Sequence, residues 1–233
     1  MQFFVGTSGF SYKEWKGSFY PEKLPQQQML SYYAEQFGTV ELNNTFRRMP
    51  TEIAMRSWAC QTPSNFRFAI KAPQSITHFK RLRDVEEPTK ELFHLAGVLK
   101  ARLGPVLFGL PTNMKKDLAR LKAFLRVVPK KRQAAIEFRH DSWFDDEVFE
   151  CLRLNRCVMC VTDDEDLPLA PLMRTSNWGY IRLRRTNYTK KSLSNWIRKA
   201  NSIGWEQAYV FFKHENTGTG PKLANRFLEL AKR

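Results

Sequence analysis

Eight short apolar runs recur along this chain, most of them followed by a segment with helical spacing. That alternation constrains the fold more than any other feature. Residues 2–6 (QFFVG), 39–43, 66–71, 105–110 (PVLFGL), 133–138, 157–162, 178–183 and 208–213 (AYVFFK) read as strands. Residues 26–37, 51–60, 88–103, 115–128, 145–154 and 193–203 read as helices, and a closing helix begins near Pro221, which suits a first helical position. Thr51 stands as an N-cap, and Gly38 and Gly204 follow the helices they end. Strands alternating with helices build a parallel sheet. The continuous apolar run of PVLFGL fits a strand covered on both faces. Eight units in 233 residues come to about 29 residues each, at the small end of the ~200 to 400 residues of (β/α)8 barrels. The expected fold is therefore α/β: a single TIM-barrel-like domain over residues 1–233 with parallel strands. A doubly wound open sheet is the alternative, and it would leave two strand edges.

The strand ends carry the chemistry. In QAAIEFRHDSWF (Gln133–Phe144), alternation puts Glu137 and Arg139 on one face and Ile136, Phe138 and His140 on the other. Other strands end in the same manner, with Thr7 and Ser8, Glu41 and Asn43, Lys71, Asp163, Arg182 and Arg184, and Lys213 with His214. Active sites of parallel barrels sit at these C-terminal ends. With the polar faces inward, Glu41, Asn43, Lys71, Glu137, Arg139, Arg182 and Lys213 converge on one mouth. Glu137 and Glu41 are the expected acid–base groups of a hydrolase, lyase or isomerase, and Lys71 the third catalytic candidate. Asn43, Arg139, His140, Arg182, Arg184, Lys213, Gly218, Gly220, Ser8 and Trp15 are the expected substrate-binding set. Carboxylates among several cations stay ionised, and the surplus positive charge suits an anionic small molecule or a phosphate group. The bland alternative is an internal salt-bridge network with no ligand, although such networks cost desolvation and often return little stability. A Schiff-base role for Lys71 needs a neutral amine, whereas Glu41 on the neighbouring strand would keep it charged.

A second anion-binding feature lies near the end of the chain. Lys213 is followed by Thr217-Gly218-Thr219-Gly220 and the start of the last helix, where free N–H groups favour negative charge. Arg184 and Arg185 belong to the neighbouring loop. The alternative is that Gly218 and Gly220 only make the turn. The formal net charge of +15 also makes a polynucleotide the alternative partner. Tyr12, Trp15, Phe19 and Tyr20, interleaved with Lys13 and Lys16, would be its stacking platform. No metal or cofactor is expected. The four histidines are scattered, and only a loose Glu41/Glu137/Asp163/His140 set suggests ligation. Cys157 and Cys160 form a lone CxxC in a strand, where residues three apart face opposite sides, so buried thiols are expected. No basic leader and no apolar run of ~18 residues are present, which implies a cytoplasmic protein that does not enter membranes. The sequence sets no oligomeric state.

Six blocks taken in order resemble the DUF72 family, also called YecE-like: GTSGFSYKEWKGSFYP, TVELNNTFRRMP, FRFAIKAPQSITH, GPVLFGLP, AAIEFRHDSWF and FFKHENTGTGP. The resemblance runs from Val5 to the final helix. It implies a TIM-barrel-like fold, in agreement with the strand count, and no activity, because the family is named for its unknown function. Two positions differ from a common form of the family. Arg184 stands where a His often follows the Arg-Leu of the seventh strand. Lys213-His214-Glu215 stands where an Asn-Asn-Asp-like run often ends the eighth. Both differences add positive charge at the mouth.

Overall fold

The computed structural model describes residues 1–232. Its strands are β1 (Gln2–Thr7), β2 (Thr39–Leu42), β3 (Arg67–Lys71), β4 (Leu103–Gly109), β5 (Ala134–Glu137), β6 (Val158–Asp163), β7 (Trp178–Leu183) and β8 (Gln207–Phe212). They form one parallel sheet in the order β1-β8-β7-β6-β5-β4-β3-β2. Around it lie α1 (Met29–Gln36), α2 (Glu52–Cys60), α3 (Glu86–Ala96), α4 (Leu118–Val127), α5 (Asp146–Leu154), α6 (Lys190–Ser202) and α7 (Thr219–Ala231). An irregular loop rather than a helix joins β6 to β7.

The sheet closes nearly into a barrel where β1 meets β2. The two strands share one bridge, Ser8 opposite Glu41, and the Gly9 N–H donates to the Glu41 carbonyl at 2.8 Å. Below that point the hydroxyl of Tyr33, on α1, replaces the missing ladder bond. It accepts the Thr7 N–H at 2.8 Å and donates to the Thr39 carbonyl at 3.1 Å. Gly6 makes this approach sterically feasible, because a Cβ there would fall on the Thr39 carbonyl oxygen and 2.8 Å from the Tyr33 hydroxyl.

Strand alternation separates two cores. Ala69, Leu107, Ala135, Val158, Cys160, Trp178, Tyr180, Tyr209 and Phe211 fill the barrel, with Phe4 stacked on Tyr209 at 4.8 Å. The residues between them, such as Phe68, Ile70, Phe108 and Ile136, pack outward against the helices. The CxxC divides accordingly, Cys157 outside and Cys160 inside. Boundaries move most around residues 88–103. There α3 ends at Ala96, 3-10 turns run over Gly97–Arg102, and Lys100 takes a positive φ of 52° that breaks the helix. Pro221 falls third in α7 rather than first, a position where its missing N–H is equally harmless.

Replacing Tyr33 by Phe removes both seam bonds in a buried place. We expect Tyr33→Phe to lose about 1–3 kcal/mol in urea unfolding, the usual result of leaving buried partners unmade. An unchanged midpoint would show that the seam does not need the hydroxyl.

Candidate functional site

The C-terminal ends of the strands hold a layer of fully buried charge. Glu41, from β2, and Glu137, from β5, are both 0 % exposed, and Arg182, from β7, is 1 % exposed. Arg182 lies between the carboxylates: its Nη2 donates to Glu41 Oε1 at 2.9 Å and its Nη1 to Glu137 Oε1 at 2.7 Å. Ser8 donates to Glu41 Oε1 and Tyr180 to Oε2, each at 2.7 Å. Thr162 donates to Glu137 Oε1 at 2.6 Å, while Arg139 donates to Oε2 from Nε at 3.0 Å and Nη2 at 2.6 Å. Strand register sets this layer, since Thr162 is paired with Arg182 and Gly109 with Glu137. Gly109 leaves the space that the carboxylate occupies; a Cβ there would lie 2.8 Å from Glu137 Oε2.

Burial alone would raise the pKa of both carboxyls. Arg182 and the surrounding donors outweigh it, and hold Glu41 below the ordinary carboxylate value and Glu137 well below it. Burial likewise opposes the charge on Arg182, but Glu137 and Glu41 override that and keep it firmly cationic.

Above this layer opens a cavity of about 490 Å³ lined by Tyr12, Asn43, Phe46, Arg47, Lys71, Gln74, Arg139, Arg182, Arg184, Lys213 and Glu215. Glu215 is the one carboxylate in that lining. The Asn43 side-chain amide and Arg182 Nε are buried here without a hydrogen-bond partner among the described residues. Thr45 ties the β2 loop to the end of β3 by donating to the Leu42 and Lys71 carbonyls at 2.9 and 2.7 Å, which sets the Phe46 ring 4.1 Å from Lys71 Nζ. Burial, then the Arg182 charge, lowers the Lys71 pKa to about 8 against the opposing pull of Glu137 and Glu41. Burial, then Arg184, lowers that of Lys213. A second cavity shares Arg184, Lys213 and Glu215 with the first, and adds Thr186, His214, Asn216 and Thr219.

Of the expected set, Asn43, Lys71, Arg139, Arg182, Arg184 and Lys213 line the mouth, while Ser8, Glu41 and Glu137 form the layer beneath it. Four others lie elsewhere. Trp15 is 1 % exposed and donates to the Glu215 carbonyl at 2.9 Å, so it supports the mouth from below. His140 turns away to accept the Ser142 N–H at 3.2 Å. Gly218, at φ 68°, packs against Ser18, and Gly220 against Trp15 and the His214 carbonyl. The segment with Tyr12, Trp15, Phe19 and Tyr20 is a packed aromatic cluster, with Trp15 and Tyr20 buried. Asp163 faces outward to Arg185 at 2.5 Å, Tyr188 at 3.0 Å and Trp196 at 3.1 Å. Among the described residues no three His, Cys, Asp or Glu side chains form a metal-binding group. Arg184 reaches Asp164 at 3.1 Å. Sequence reasoning passed over Thr162, Phe46, Arg47 and Gln74. Thr162 shares the inward parity of Cys160, and the other three lie just beyond strand ends.

Fold and site together define a TIM-barrel-like protein whose buried ion network carries a cationic, open mouth. The chain belongs to the DUF72 family, described as proteins of unknown function, whose model matches residues 4–233. It is similar to the UPF0759 protein YunF of Bacillus subtilis strain 168, at 27 % identity over 97 % of this chain and 94 % of that protein. It is also similar to the UPF0759 protein YecE of Escherichia coli K12, at 31 % identity over 49 % of this chain. That match spans 43 % of YecE, less than half its length. The crystal structure of a DUF72 family protein from Thermotoga maritima MSB8 superposes with a TM-score of 0.87, at 28 % identity and full coverage of both chains. No helix among the described residues is long and apolar enough to cross a membrane.

Truncating Arg182 leaves two carboxylates buried without their shared cation. Arg182→Met should lose about 3–5 kcal/mol at neutral pH. In the wild type both carboxyls titrate below the ordinary value of 4.5, so their contribution is complete above that pH and is lost as the pH falls further. In the variant the strongest opposition to burial is gone from Glu41, leaving only the Ser8 and Tyr180 hydrogen bonds and the Lys71 charge, so its pKa rises relative to the wild type and acidification should narrow the deficit. Urea unfolding across pH measures this, and a deficit that does not change with pH would contradict it.

Proposed function

We propose that the barrel mouth binds a small anionic ligand carrying a phosphate or carboxylate group. The carrying observation is the charge imbalance of the cavity wall. Six cations line it: Arg139 and Arg182 are engaged by Glu137 and Glu41 below, Arg184 reaches Asp164 at 3.1 Å, Lys213 lies 3.8 Å from Glu215, and Arg47 and Lys71 have no salt bridge among the described residues, so positive charge is in surplus. The unpartnered Asn43 amide and Arg182 Nε supply further polar contacts. Arginine and lysine groups left over at a half-buried wall form the strong, charge-assisted class of hydrogen bond.

The same geometry restricts the chemistry. An acid–base catalyst needs a carboxyl that touches the ligand and titrates near the working pH. Glu41 and Glu137 lie beneath the cavity wall and are held ionised, so their role in this reading is electrostatic: they fix Arg182 and Arg139 in place. Proton transfer and nucleophilic attack fall to groups that reach the cavity, namely Lys71, Lys213, Tyr12 and Glu215. The polynucleotide alternative retains the +15 charge, but its expected stacking residues Trp15 and Tyr20 are buried.

Sulfate is a suitable probe because its charge is constant through neutral pH. Calorimetry should find one site that weakens at least about tenfold in Arg184→Ala/Lys213→Ala, as expected from losing charge-assisted contacts of about 1.5–3 kcal/mol each. Affinity should fall as the pH rises through about 8, where Lys71 loses its proton, and this fall should flatten in Lys71→Arg. No sulfate binding, or binding indifferent to these variants, would sink the reading. A single-stranded oligonucleotide that displaces sulfate with a steep salt dependence would favour the alternative.

A further inference from the structure

Lys71 and Arg47 are the cations of the mouth that the ion network leaves over, and of the two Lys71 is the one partly buried. Its Nζ makes no salt bridge and no hydrogen bond among the described residues, although Glu41 and Glu137 lie in the layer below it. Both carboxylates point their oxygens at Arg182, Arg139 and neutral donors instead. The amine therefore reaches the cavity beside two guanidinium groups, with the Phe46 ring 4.1 Å away. A lysine partly stripped of water and set next to other cations is the arrangement that activates an amine as a nucleophile. Burial, then Arg182, brings the Lys71 pKa to about 8 against the opposing pull of Glu137 and Glu41.

We propose that Lys71 forms an imine with an aldehyde or ketone that carries a phosphate or carboxylate group, the anionic group being held by Arg139, Arg184 and Lys213. This rests on the anion-binding reading above and adds a covalent step to it. The neutral amine donates its lone pair to the carbonyl carbon, a C–N bond forms, and the carbonyl oxygen takes up a proton to give a carbinolamine. Loss of the second C–O bond then releases that oxygen as water. The amine supplies both protons of that water: Glu215, the carboxylate of the cavity wall, relays the first from nitrogen to the carbonyl oxygen and the second to the departing hydroxyl, which leaves a neutral imine. No oxidant or reductant takes part.

At pH 7 a lysine with a pKa near 8 has a neutral fraction about two-hundredfold larger than an ordinary lysine at ~10.4. The test is reductive trapping with cyanoborohydride on the intact chain. The probes are pyruvate for the carboxylate, glycolaldehyde phosphate for the phosphate, and uncharged glycolaldehyde as control, with adducts located by peptide mass mapping. Lys71 should be labelled at least about tenfold faster than the surface lysines by one of the anionic probes. Sulfate should suppress that labelling, and Lys71→Arg should abolish it. The faster of the two anionic probes identifies which group the mouth prefers. Labelling spread evenly over the lysines while sulfate still binds would overturn the imine and leave the anion site standing. Equal labelling of Lys71 by uncharged glycolaldehyde, indifferent to sulfate, would overturn the ligand class. Absence of both sulfate binding and selective labelling would overturn both readings.

Discussion

The guanidinium of Arg182 holds the upper half of this barrel together. It is nearly without solvent contact and touches a carboxylate on each side, Glu41 from β2 and Glu137 from β5. Either acid alone in that interior would be pushed towards its neutral form. With Arg182 between them, both remain ionised, and each gathers further donors from its neighbours. Ser8, Tyr180, Thr162 and Arg139 thus join strands far apart in sequence at one level of the barrel. Buried networks of this kind give little stability over an apolar core. Their effect is to fix positions: the side chains that form the floor of the mouth have one place to stand.

That arrangement decides the character of the mouth. Two carboxylates satisfy Arg182 and Arg139 from below, and the outward-facing Asp163 engages Arg185 behind the wall. What remains at the cavity is Arg47 and Lys71 without a salt bridge among the described residues, Arg184 reaching Asp164 at 3.1 Å, Lys213 3.8 Å from Glu215, and an unpaired amide, which together leave positive charge in surplus. Aromatic residues of the 12–20 segment pack beneath and beside this opening, and through Trp15 they hold the backbone of Glu215 in position. The result is a firm floor beneath a positively charged rim.

Much of this was legible in the chain. The strand count led to the barrel, and period-two alternation placed Glu41, Lys71, Glu137, Arg139 and Arg182 on inward faces before any coordinates. That inference holds because a strand buried on both sides has only two orientations for each residue. Pairing was not legible. Which cation meets which carboxylate depends on barrel geometry, which brings β2, β5 and β7 together across the interior from distant parts of the sequence. Nor did composition reveal that Trp15 would turn inward or that Gly218 and Gly220 would serve packing, because a Gly/Thr turn and an aromatic loop read alike whether they bind or merely fill space. The early end of α3 at Ala96 was also hidden, since helical spacing continues past the positive φ of Lys100.

The claim on which the rest depends is that Arg182 holds both carboxylates below the mouth and leaves the mouth cationic. A crystal structure determined in the presence of sulfate tests it most directly. The expected result is sulfate in the cavity, within hydrogen-bond distance of Lys71 and of Arg139, Arg184 or Lys213, with Glu41 and Glu137 still bridged by Arg182. A structure in which Glu137 or Glu41 leaves Arg182 and turns into the cavity to neutralise those cations would contradict the account.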